Sequence, residues 1–285
     1  MLGDFEYVRA RTIRDACELL KDGGGEAVAY AGGTDLLVEI RNGLRAPKLL
    51  VDIKEIESLR RIDLGDESSP IALGAAVPLN RIAEDESLRG RIAALTEAAL
   101  TIATYQLRNR ATIGGNLCNA SPASDSIPPL LVAGAVLRIE GPDGGREVAL
   151  RDFCTGVKRT CLECGEILVG IRIPPLATGT RTAFLKQQRI RGHDLAVVNV
   201  AGALSPSDGT LRIAIGSCGP TPILLDPIKT GADTAEAITK EAVRDAQAAA
   251  SPISDVRASA EYRRAVLPVL VCRMIARLLD ETGGV

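Results

Sequence analysis

Apolar residues recur in the N-terminal part of the chain as two short runs separated by a helical pattern. Thr12-Ile13-Arg14-Asp15 has the hydroxyl and carboxyl groups of a helix N-cap and predicts a helix that ends at the glycines after it. Short buried strands are predicted over 27–31 and 49–53, and a helix between them begins near Leu36 and ends at Asn42-Gly43. This strand, helix, strand order predicts a small parallel sheet.

The middle of the chain mixes short strands with helices. A strand is predicted over 71–73, an Ala-rich helix over 91–102 and a β-hairpin over 136–150, with Pro142-Asp143-Gly144-Gly145 as its turn. The prolines and polar residues of 174–180 have the composition of a linker. The pattern therefore separates this region from the one that follows.

Beyond the linker, the hydrophobic pattern predicts three antiparallel strands, over 182–188, 196–204 and 211–217. Two helices are predicted after them, over 234–250 and 261–280, the second bent at Pro268. The whole pattern predicts an α+β protein in three units, which we place at residues 1–55, 56–176 and 177–285.

Composition and charge argue against two classes of partner. The chain has 285 residues, 46% of them hydrophobic, which is enough for a buried core. A net charge of -2, the lack of a long basic run and few aromatic residues argue against nucleic acid as a binding partner.

The most apolar run, 127–137, is shorter than the roughly 18 residues that cross a bilayer, so no membrane span is expected. Met1–Glu6 lacks the features of a secretory signal, which predicts a cytoplasmic protein.

The first candidate site is Gly32-Gly33-Thr34-Asp35, where a predicted strand gives way to a helix. Backbone amides and a hydroxyl at the positive end of a helix are the outline of a phosphate site. A plain tight turn is the alternative, because Gly-Gly between a strand and a helix commonly serves only as a bend. No Gly-Lys-Ser/Thr follows and the segment does not match GxGxxG, so a nucleoside triphosphatase is disfavoured.

The second candidate site is the polar segment that runs from Thr112 to Asp125. Within it Gly114-Gly115 is surrounded by short hydroxyl, amide and carboxylate side chains, which suit a ligand with many polar atoms. A surface loop rich in turn-forming residues is the alternative interpretation. Two glycine turns of this kind in one chain favour a shared ligand.

The order of these motifs carries a family resemblance. Ala31-Gly32-Gly33-Thr34-Asp35 and Thr112-Ile113-Gly114-Gly115-Asn116, followed by the segment from Asn119 to Asp125, resemble the FAD-binding subunit of molybdenum hydroxylases. That subunit is the medium subunit of the aerobic carbon monoxide dehydrogenase and xanthine dehydrogenase family. Gly165-Glu166-Ile167-Leu168 resembles the family's strand beside the flavin, and the region from Phe184 to Asp194 resembles the start of its C-terminal domain. The resemblance covers nearly the whole chain.

The resemblance implies a two-lobed FAD-binding domain of the vanillyl-alcohol oxidase type, with the pyrophosphate between the two glycine turns. It also implies a C-terminal domain with a three-stranded antiparallel sheet and a helical bundle. Asn119 and Asp125 would bond ribityl or ribose hydroxyls, and Leu168 would contact the cofactor through its backbone. The positions that match cofactor contacts are Ala31, Gly32, Gly33, Thr34, Asp35, Leu36, Thr112, Ile113, Gly114, Gly115, Asn116, Asn119, Asp125, Leu168, Lys186 and His193.

Two of these positions admit a simpler interpretation. Lys186 could be a solvated surface lysine. His193 is the only histidine in the chain and could likewise be a surface or capping residue. The resemblance places it where some relatives carry a Tyr that shields the isoalloxazine ring, and the difference from Tyr weakens the flavin-facing role that this position implies. With one histidine and no G-x-S-x-G motif, hydrolysis is poorly supported, and no side chain is expected to act as a catalytic nucleophile.

Three of the seven cysteines, Cys154, Cys161 and Cys164, have a spacing that suggests a metal or iron-sulfur site. Such a site needs a fourth ligand, which Cys118 or Cys218 could supply only if the fold brings one of them near. The family generally lacks cysteines in this region. We therefore expect reduced thiols and no metal.

The resemblance implies an electron-transfer role. Substrate would be oxidised on a large molybdopterin subunit, and electrons would cross [2Fe-2S] clusters of a small subunit before they reach FAD here and pass to an acceptor such as NAD or a quinone. The chain has no plant-type C-x4-C-x2-C signature of its own. Two alternatives remain open: a noncatalytic assembly subunit with the same fold, and a stand-alone flavin oxidase.

Overall fold

The structure is a computed structural model that describes residues 4–190, 192–231 and 234–280. Its first sheet is parallel. Its strands lie in the order β1-β3-β2, and the elements of this lobe are β1 (Glu6–Arg9), α1 (Ile13–Asp22), a 3-10 turn (Gly24–Glu26), β2 (Ala27–Tyr30), α2 (Leu36–Arg41) and β3 (Leu49–Asp52). The predicted parallel unit is confirmed. The sequence pattern missed β1, because its residues EYVR are mostly exposed and only pairing with β3 makes them a strand.

Local chemistry sets the start of α1 as predicted. Thr12 Oγ1 accepts from the amide of Asp15 at 3.0 Å, and the Asp15 carboxylate accepts from the amide of Thr12 at 3.1 Å, which is a reciprocal capping box. The helix ends at Gly23. The predicted burial of β2 is wrong, because its four residues are only half-buried and Ala27, Val28 and Ala29 line a cavity.

The second lobe is built on an antiparallel sheet in the order β4-β5-β10-β6-β7. Its elements are a 3-10 turn (Glu57–Arg60), β4 (Ile62–Asp63), β5 (Ile71–Gly74), α3 (Leu79–Ala83), α4 (Glu86–Arg91), α5 (Ala93–Thr101), α6 (Tyr105–Arg108), α7 (Ile113–Cys118), α8 (Ile127–Val132), β6 (Val136–Gly141), β7 (Gly144–Ala149), α9 (Leu150–Phe153), β8 (Cys154–Gly156), β9 (Arg159–Thr160) and β10 (Ile167–Ile173). The strands β8 and β9 pair only with each other among the described residues.

Two predictions for this lobe need correction. The Ala-rich helix expected over 91–102 is divided, because Ile92 adopts φ -151° and ψ 73° between α4 and α5. The turn of the predicted hairpin is shorter than expected, since Gly141 pairs with Gly144 and only Pro142-Asp143 connects the strands. Both differences arise from backbone geometry that hydrophobic periodicity does not report.

The C-terminal domain confirms the predicted antiparallel sheet and two helices. Its elements are β11 (Arg181–Gln187), β12 (Val198–Ser205), β13 (Thr210–Gly216), β14 (Ile223–Leu224), β15 (Ile228–Lys229), α10 (Ala235–Ala249) and α11 (Ala260–Leu279). The short strands β14 and β15 both pair with β13 and were not predicted. The helix α11 continues through Pro268 as one element.

A buried arginine fixes α11 to the C-terminal sheet. Arg263, which is 1% exposed, donates to the carbonyls of Val197 and Ser217 at 2.8 Å and 3.1 Å and to Asp255 Oδ1 at 2.7 Å. Burial acts to raise the pKa of Asp255, but hydrogen bonds from Arg257 and the charges of both arginines hold that pKa well below its usual range. This cluster therefore holds α11 against the sheet. Within the described residues, no helix is long and apolar enough to cross a membrane.

Candidate functional site

The first glycine turn presents free backbone donors. It connects β2 to α2, and in the described part of the chain the amides of Gly32, Gly33, Thr34 and Asp35 donate to no protein acceptor. Gly33 has φ +72°, which a glycine adopts without strain. A run of unpaired amides beside a helix start is the local arrangement that binds phosphate oxygens.

Gly32 brings the first turn against the segment that leads into the second. A Cβ atom added at Gly32 would lie 2.1 Å from the carbonyl oxygen of Arg110 and 3.0 Å from Ala111 Cα. Both neighbours are backbone atoms, so neither can move aside as a flexible side chain would. The absence of a side chain at Gly32 therefore allows the two turns to approach each other.

The second turn is the first turn of α7, and most of its amides are already bonded. Thr112 caps the helix through Oγ1, which accepts from the amide of Gly115 at 3.0 Å. The amides of Ile113 and Gly114 donate to the carbonyls of Val77 and Ala75 at 3.0 Å and 2.9 Å. These bonds anchor the turn to the segment after β5. The phosphate contacts predicted for Gly114 would thus need groups other than its amide.

Both turns open on one cavity of about 930 Å³. Its walls come from both lobes and from the C-terminal domain, and it includes the predicted positions Ala31, Gly32, Gly33, Thr34, Asp35, Leu36, Thr112, Gly114, Gly115, Asn116, Asn119, Asp125, Leu168, Lys186 and His193. Among the predicted positions, the structure does not bring Ile113 to the wall. Its side chain is fully buried in the core of the second lobe, because it occupies the inner face of α7.

A buried ion pair stands where the second lobe meets the C-terminal domain. Lys186 Nζ donates to Asp125 Oδ2 at 2.6 Å and to the carbonyl of Thr101 at 3.2 Å, and both charged side chains are about 5% exposed or less. Burial raises the pKa of the Asp125 carboxyl, while Lys186 and the Asn199 amide act in the opposite direction. Lys186 is therefore not the solvated surface residue of the simpler interpretation.

His193 lies at the cavity wall through a contact with the second lobe. Its Nδ1 is 2.9 Å from the carbonyl oxygen of Ala103, so in the neutral ring Nδ1 carries the proton. Ala103 has φ +45° and is held by Arg108, which donates to the carbonyls of Ile102 and Ala103 at 3.0 Å and 3.1 Å. Arg191, the neighbour of His193 in the family motif, lies outside the described residues.

Two residues near the site were missed by the sequence analysis. Arg108 is 8% exposed and stabilises the turn at Ala103, whose positive φ is unusual for a residue other than glycine. Lys158, at the turn between β8 and β9 with φ +58°, donates to Asn119 Oδ1 and to Glu39 Oε1, the latter at 3.3 Å. Lys158 thus links α2, which follows the first glycine turn, to the C-terminal end of α7, which begins with the second. A basic residue in a hairpin turn gave no signal of this link.

Asp35, the acidic member of the first turn, lies partly out of water at the cavity wall. Burial raises the pKa of Asp35, the positive charge of Lys158 acts to lower it, and Glu39 acts to raise it. The Asp35 carboxyl therefore lies in surroundings that disfavour its charged form, and Lys158 is the positive group that opposes this effect.

The structure groups the cysteines differently from their spacing in the sequence. Cys118 and Cys164 both line the cavity, and Cys164 is exposed. The thiols of Cys154 and Cys161 act on the pKa of Cys118, whereas Cys218 is buried in the C-terminal core. Burial raises the pKa of Cys118 to about 12 and that of Cys154 to about 11, so both are protonated at neutral pH. All seven cysteines are free thiols. Among the described residues, no three His, Cys, Asp or Glu side chains form a group that could hold a metal ion.

The cavity fits the dinucleotide that the resemblance implies. Free amides at the first turn suit a pyrophosphate, and the backbone approach at Gly32 leaves room that a Cβ atom would remove. Apolar wall residues that are not fully buried, among them Val28 and Leu107, can face flat rings. Asn116 and Asn119 can bond hydroxyl groups.

Comparisons with known proteins agree with this site. Residues 3–176 match the family described as the FAD binding domain in molybdopterin dehydrogenase, and residues 183–278 match the CO dehydrogenase flavoprotein C-terminal domain. The chain is 33% identical to a putative xanthine dehydrogenase FAD-binding subunit of Escherichia coli, over 98% of this chain and 97% of the relative. It is also 33% identical to the carbon monoxide dehydrogenase medium chain of Afipia carboxidovorans, over 96% of each.

Solved structures show the same arrangement. The reconstituted CO dehydrogenase from Oligotropha carboxidovorans contains a chain that matches with a TM-score of 0.91 and 32% identity, over 98% of both chains. A chain of quinoline 2-oxidoreductase from Pseudomonas putida matches with a TM-score of 0.88 and 26% identity, again over 98% of both. The FAD cofactor and the two-part architecture are therefore shared by relatives along nearly the whole chain. This chain belongs to the family of FAD-binding subunits of molybdopterin-dependent dehydrogenases.

Proposed function

We propose that this chain carries electrons through FAD, held in the cavity between the glycine turns, from redox centres on partner chains to an external acceptor. The observation that carries the proposal is the single cavity lined by both turns and by the C-terminal domain. The partners would be a large molybdopterin subunit and a small [2Fe-2S] subunit, and the acceptor would be NAD or a quinone. Relatives named as medium chains support this division of labour.

Within this proposal the three units, 1–55, 56–176 and 177–285, contribute different groups to the site. The first would supply the free amides of Gly32 to Asp35 for the pyrophosphate. The second would supply the capped start of α7 with Asn116, Asn119 and Asp125, and the third Lys186 and His193. Leu168 on β10 would offer its backbone to the cofactor.

The bound flavin supplies the electron chemistry, because it can accept electrons singly and release two together. The residues of this chain hold and orient it. The carbonyl of Ala103 holds His193 at the cavity wall through a hydrogen bond. The Lys186 and Asp125 pair presents fixed charges to the part of the cavity that both side chains line. No nucleophile is required of the protein, in agreement with the high pKa of the Cys118 thiol at the wall.

Reconstitution with FAD tests the cofactor site directly. The full chain, purified and incubated with FAD, should retain flavin through gel filtration and show its visible absorbance. A folded chain that retains no flavin would contradict the proposal and favour the noncatalytic assembly subunit. Direct oxidation of a small alcohol by the isolated chain would favour the stand-alone oxidase instead.

Copurification tests the proposed partners. A tagged chain expressed in the organism that encodes it should copurify with a molybdopterin protein and an iron-sulfur protein. We propose that this complex works in the cytoplasm, and cell fractionation would check this. Electron acceptors can then be compared by the rate at which NAD or a quinone reoxidises the reduced flavin of the complex. Purification of the chain without either partner would contradict the assignment.

A further inference from the structure

A row of residues crosses the C-terminal sheet next to the Asp125 carboxylate. Lys186 on β11 pairs with Asn199 on β12, and Asn199 pairs with Gly216 on β13. Residues directly opposite each other in an antiparallel sheet project from the same face. Asp125 accepts from the first two members of this row, from Lys186 Nζ at 2.6 Å and from Asn199 Nδ2 at 2.7 Å. The Asp125 carboxylate of the second lobe is therefore hydrogen-bonded to two residues of this row in the C-terminal sheet.

Asn199 occupies its place at a cost to stability. Asn199 is 0% exposed. Its Oδ1 atom is buried and accepts no hydrogen bond from the described residues. A buried polar atom without a partner is unfavourable, and an apolar residue on this central strand would avoid that cost. The amide donates to Asp125 and, at 3.2 Å, to the carbonyl of Ser124. Its contribution lies in those two bonds.

Gly216 provides the space that the Asn199 side chain needs. A Cβ atom added at Gly216 would lie 2.1 Å from Asn199 Oδ1 and 3.1 Å from its Cγ. The backbone conformation does not require a glycine here, since Gly216 lies in the regular strand β13 and its φ is not positive. Any side chain on Gly216 would therefore displace the Asn199 amide toward or away from Asp125.

We propose that Asn199 is a positioning residue of the flavin site, which fixes the Asp125 carboxylate against the Lys186 ammonium at the edge of the cavity. Asn199 is absent from the cavity wall and would act through Asp125, whereas Asp125 and Lys186 both line it. The inference rests on the proposed placement of those two residues beside FAD. It makes the C-terminal domain responsible for the orientation of a carboxylate that belongs to the second lobe.

The physical reason is the need of a buried ion pair for further hydrogen bonds. Two charges removed from water are held together well only if their remaining lone pairs and protons find partners. Lys186 has the Thr101 carbonyl as a second acceptor, and Asp125 has the Asn199 amide as a second donor. Without that amide Asp125 Oδ1 loses this donor, and only Lys186 and the Thr101 side chain still act on the carboxylate, so its orientation at the cavity wall is less well fixed.

Three variants of the full chain test this role. Asn199→Leu removes the donor, and Gly216→Ala keeps it but pushes it out of place. Ser217→Ala is the matched control, because it removes a buried hydrogen bond of the same domain, from Ser217 Oγ to the Ala196 carbonyl, without contact to Asp125. For each we would measure the melting temperature, the dissociation constant for FAD and the reduction potential of the bound flavin. Asn199→Ser replaces the leucine variant if the latter does not fold.

We expect Gly216→Ala and Ser217→Ala to melt at a lower temperature than the parent. In Asn199→Leu the loss of the bonds to Asp125 and Ser124 is offset by removal of the unpaired Oδ1 atom, so its melting temperature should change less. Asn199→Leu and Gly216→Ala should bind FAD about tenfold more weakly and shift its reduction potential in the same direction, while Ser217→Ala keeps both values of the parent. If the two variants bind FAD with the parent's affinity and potential, Asn199 is only structural and the inference is wrong. If the parent itself binds no FAD, the proposed function fails, which is a separate result.

Discussion

The two glycine turns resemble each other in sequence but differ at the level of single residues. Gly32 is required because a backbone carbonyl lies where its side chain would be, and the amides around it are free. Gly114 also lies against backbone, with Ala75 O 2.6 Å from an added Cβ atom, but its amide is already bonded to that carbonyl. The first turn is therefore the better donor of bonds to a phosphate.

A substitution at Gly32 tests this close approach. Gly32→Ala should separate the two turns and raise the dissociation constant for FAD by about tenfold or more, measured by flavin fluorescence titration. Gly90→Ala is the control, because an added Cβ atom there meets nothing within 4 Å and Gly90 lies inside α4. It should stabilise the protein by about 0.5–1 kcal/mol and leave FAD affinity unchanged. Equal affinities for the two variants would show that the approach is not needed.

At the scale of elements, the same kind of helix cap occurs near the cavity and far from it. Thr112 caps α7 at the cavity wall, and Thr12 caps α1 at an exposed site. Both Thr112→Ala and Thr12→Ala should lower the free energy of unfolding by about 1 kcal/mol, measured by urea denaturation. Only Thr112→Ala should also weaken FAD binding, because it releases the Gly115 amide that the cap holds. An equal loss of FAD affinity in both variants would contradict this assignment.

The attachment of α11 to the sheet predicts a dependence of stability on pH. Because the pKa of folded Asp255 lies below that of an unfolded aspartate, its contribution is fully present above about pH 5 and is lost as the pH falls through the folded pKa. Asp255→Asn leaves Arg263 buried without its carboxylate and should cost about 3 kcal/mol at pH 7. Urea denaturation between pH 7 and pH 2 should show a constant difference between the parent and the variant above about pH 5, and the two should converge only as the pH falls below about 4.

Glu18→Gln is the control for this pH series. Glu18 pairs with Arg14 on the exposed face of α1, where solvent screens the interaction. The free energy of unfolding of Glu18→Gln should therefore follow that of the parent at every pH. A difference between parent and Asp255→Asn that stays constant down to pH 2 would exclude the ionised carboxylate as its cause.

At the scale of the whole molecule, FAD should couple all three units, since each contributes to the cavity wall. Ligand at a hundred times its dissociation constant stabilises the folded state by about 2.7 kcal/mol. Hydrogen exchange should therefore slow most on FAD addition in 32–35, in 115–119 and in 192–195, and least in α10, which contributes no residue to the cavity wall. Protection confined to the first two segments would place the C-terminal domain outside the site.

Local signals in the sequence were sufficient for most elements and for the two turns. The capping box of α1, the three long strands of the C-terminal sheet and the residues of the first turn follow from propensity and periodicity, which act over a few neighbouring positions. The strand β1 and the break at Ile92 did not follow, because a partner strand and a local backbone angle decided them. Order along the chain, rather than any single motif, indicated the cofactor.

The sequence by itself thus determined the fold class, the family and the segments that form the cavity. Only the tertiary structure decided that Lys158 links Asn119 to Glu39, that Cys118 lies with Cys154 and Cys161, and that Ile113 faces the core. It also decided that the carboxylate of Asp125 is held by two strands of another domain. These contacts join residues far apart in the chain, and their geometry depends on how the sheets pack, which no local pattern of residues records.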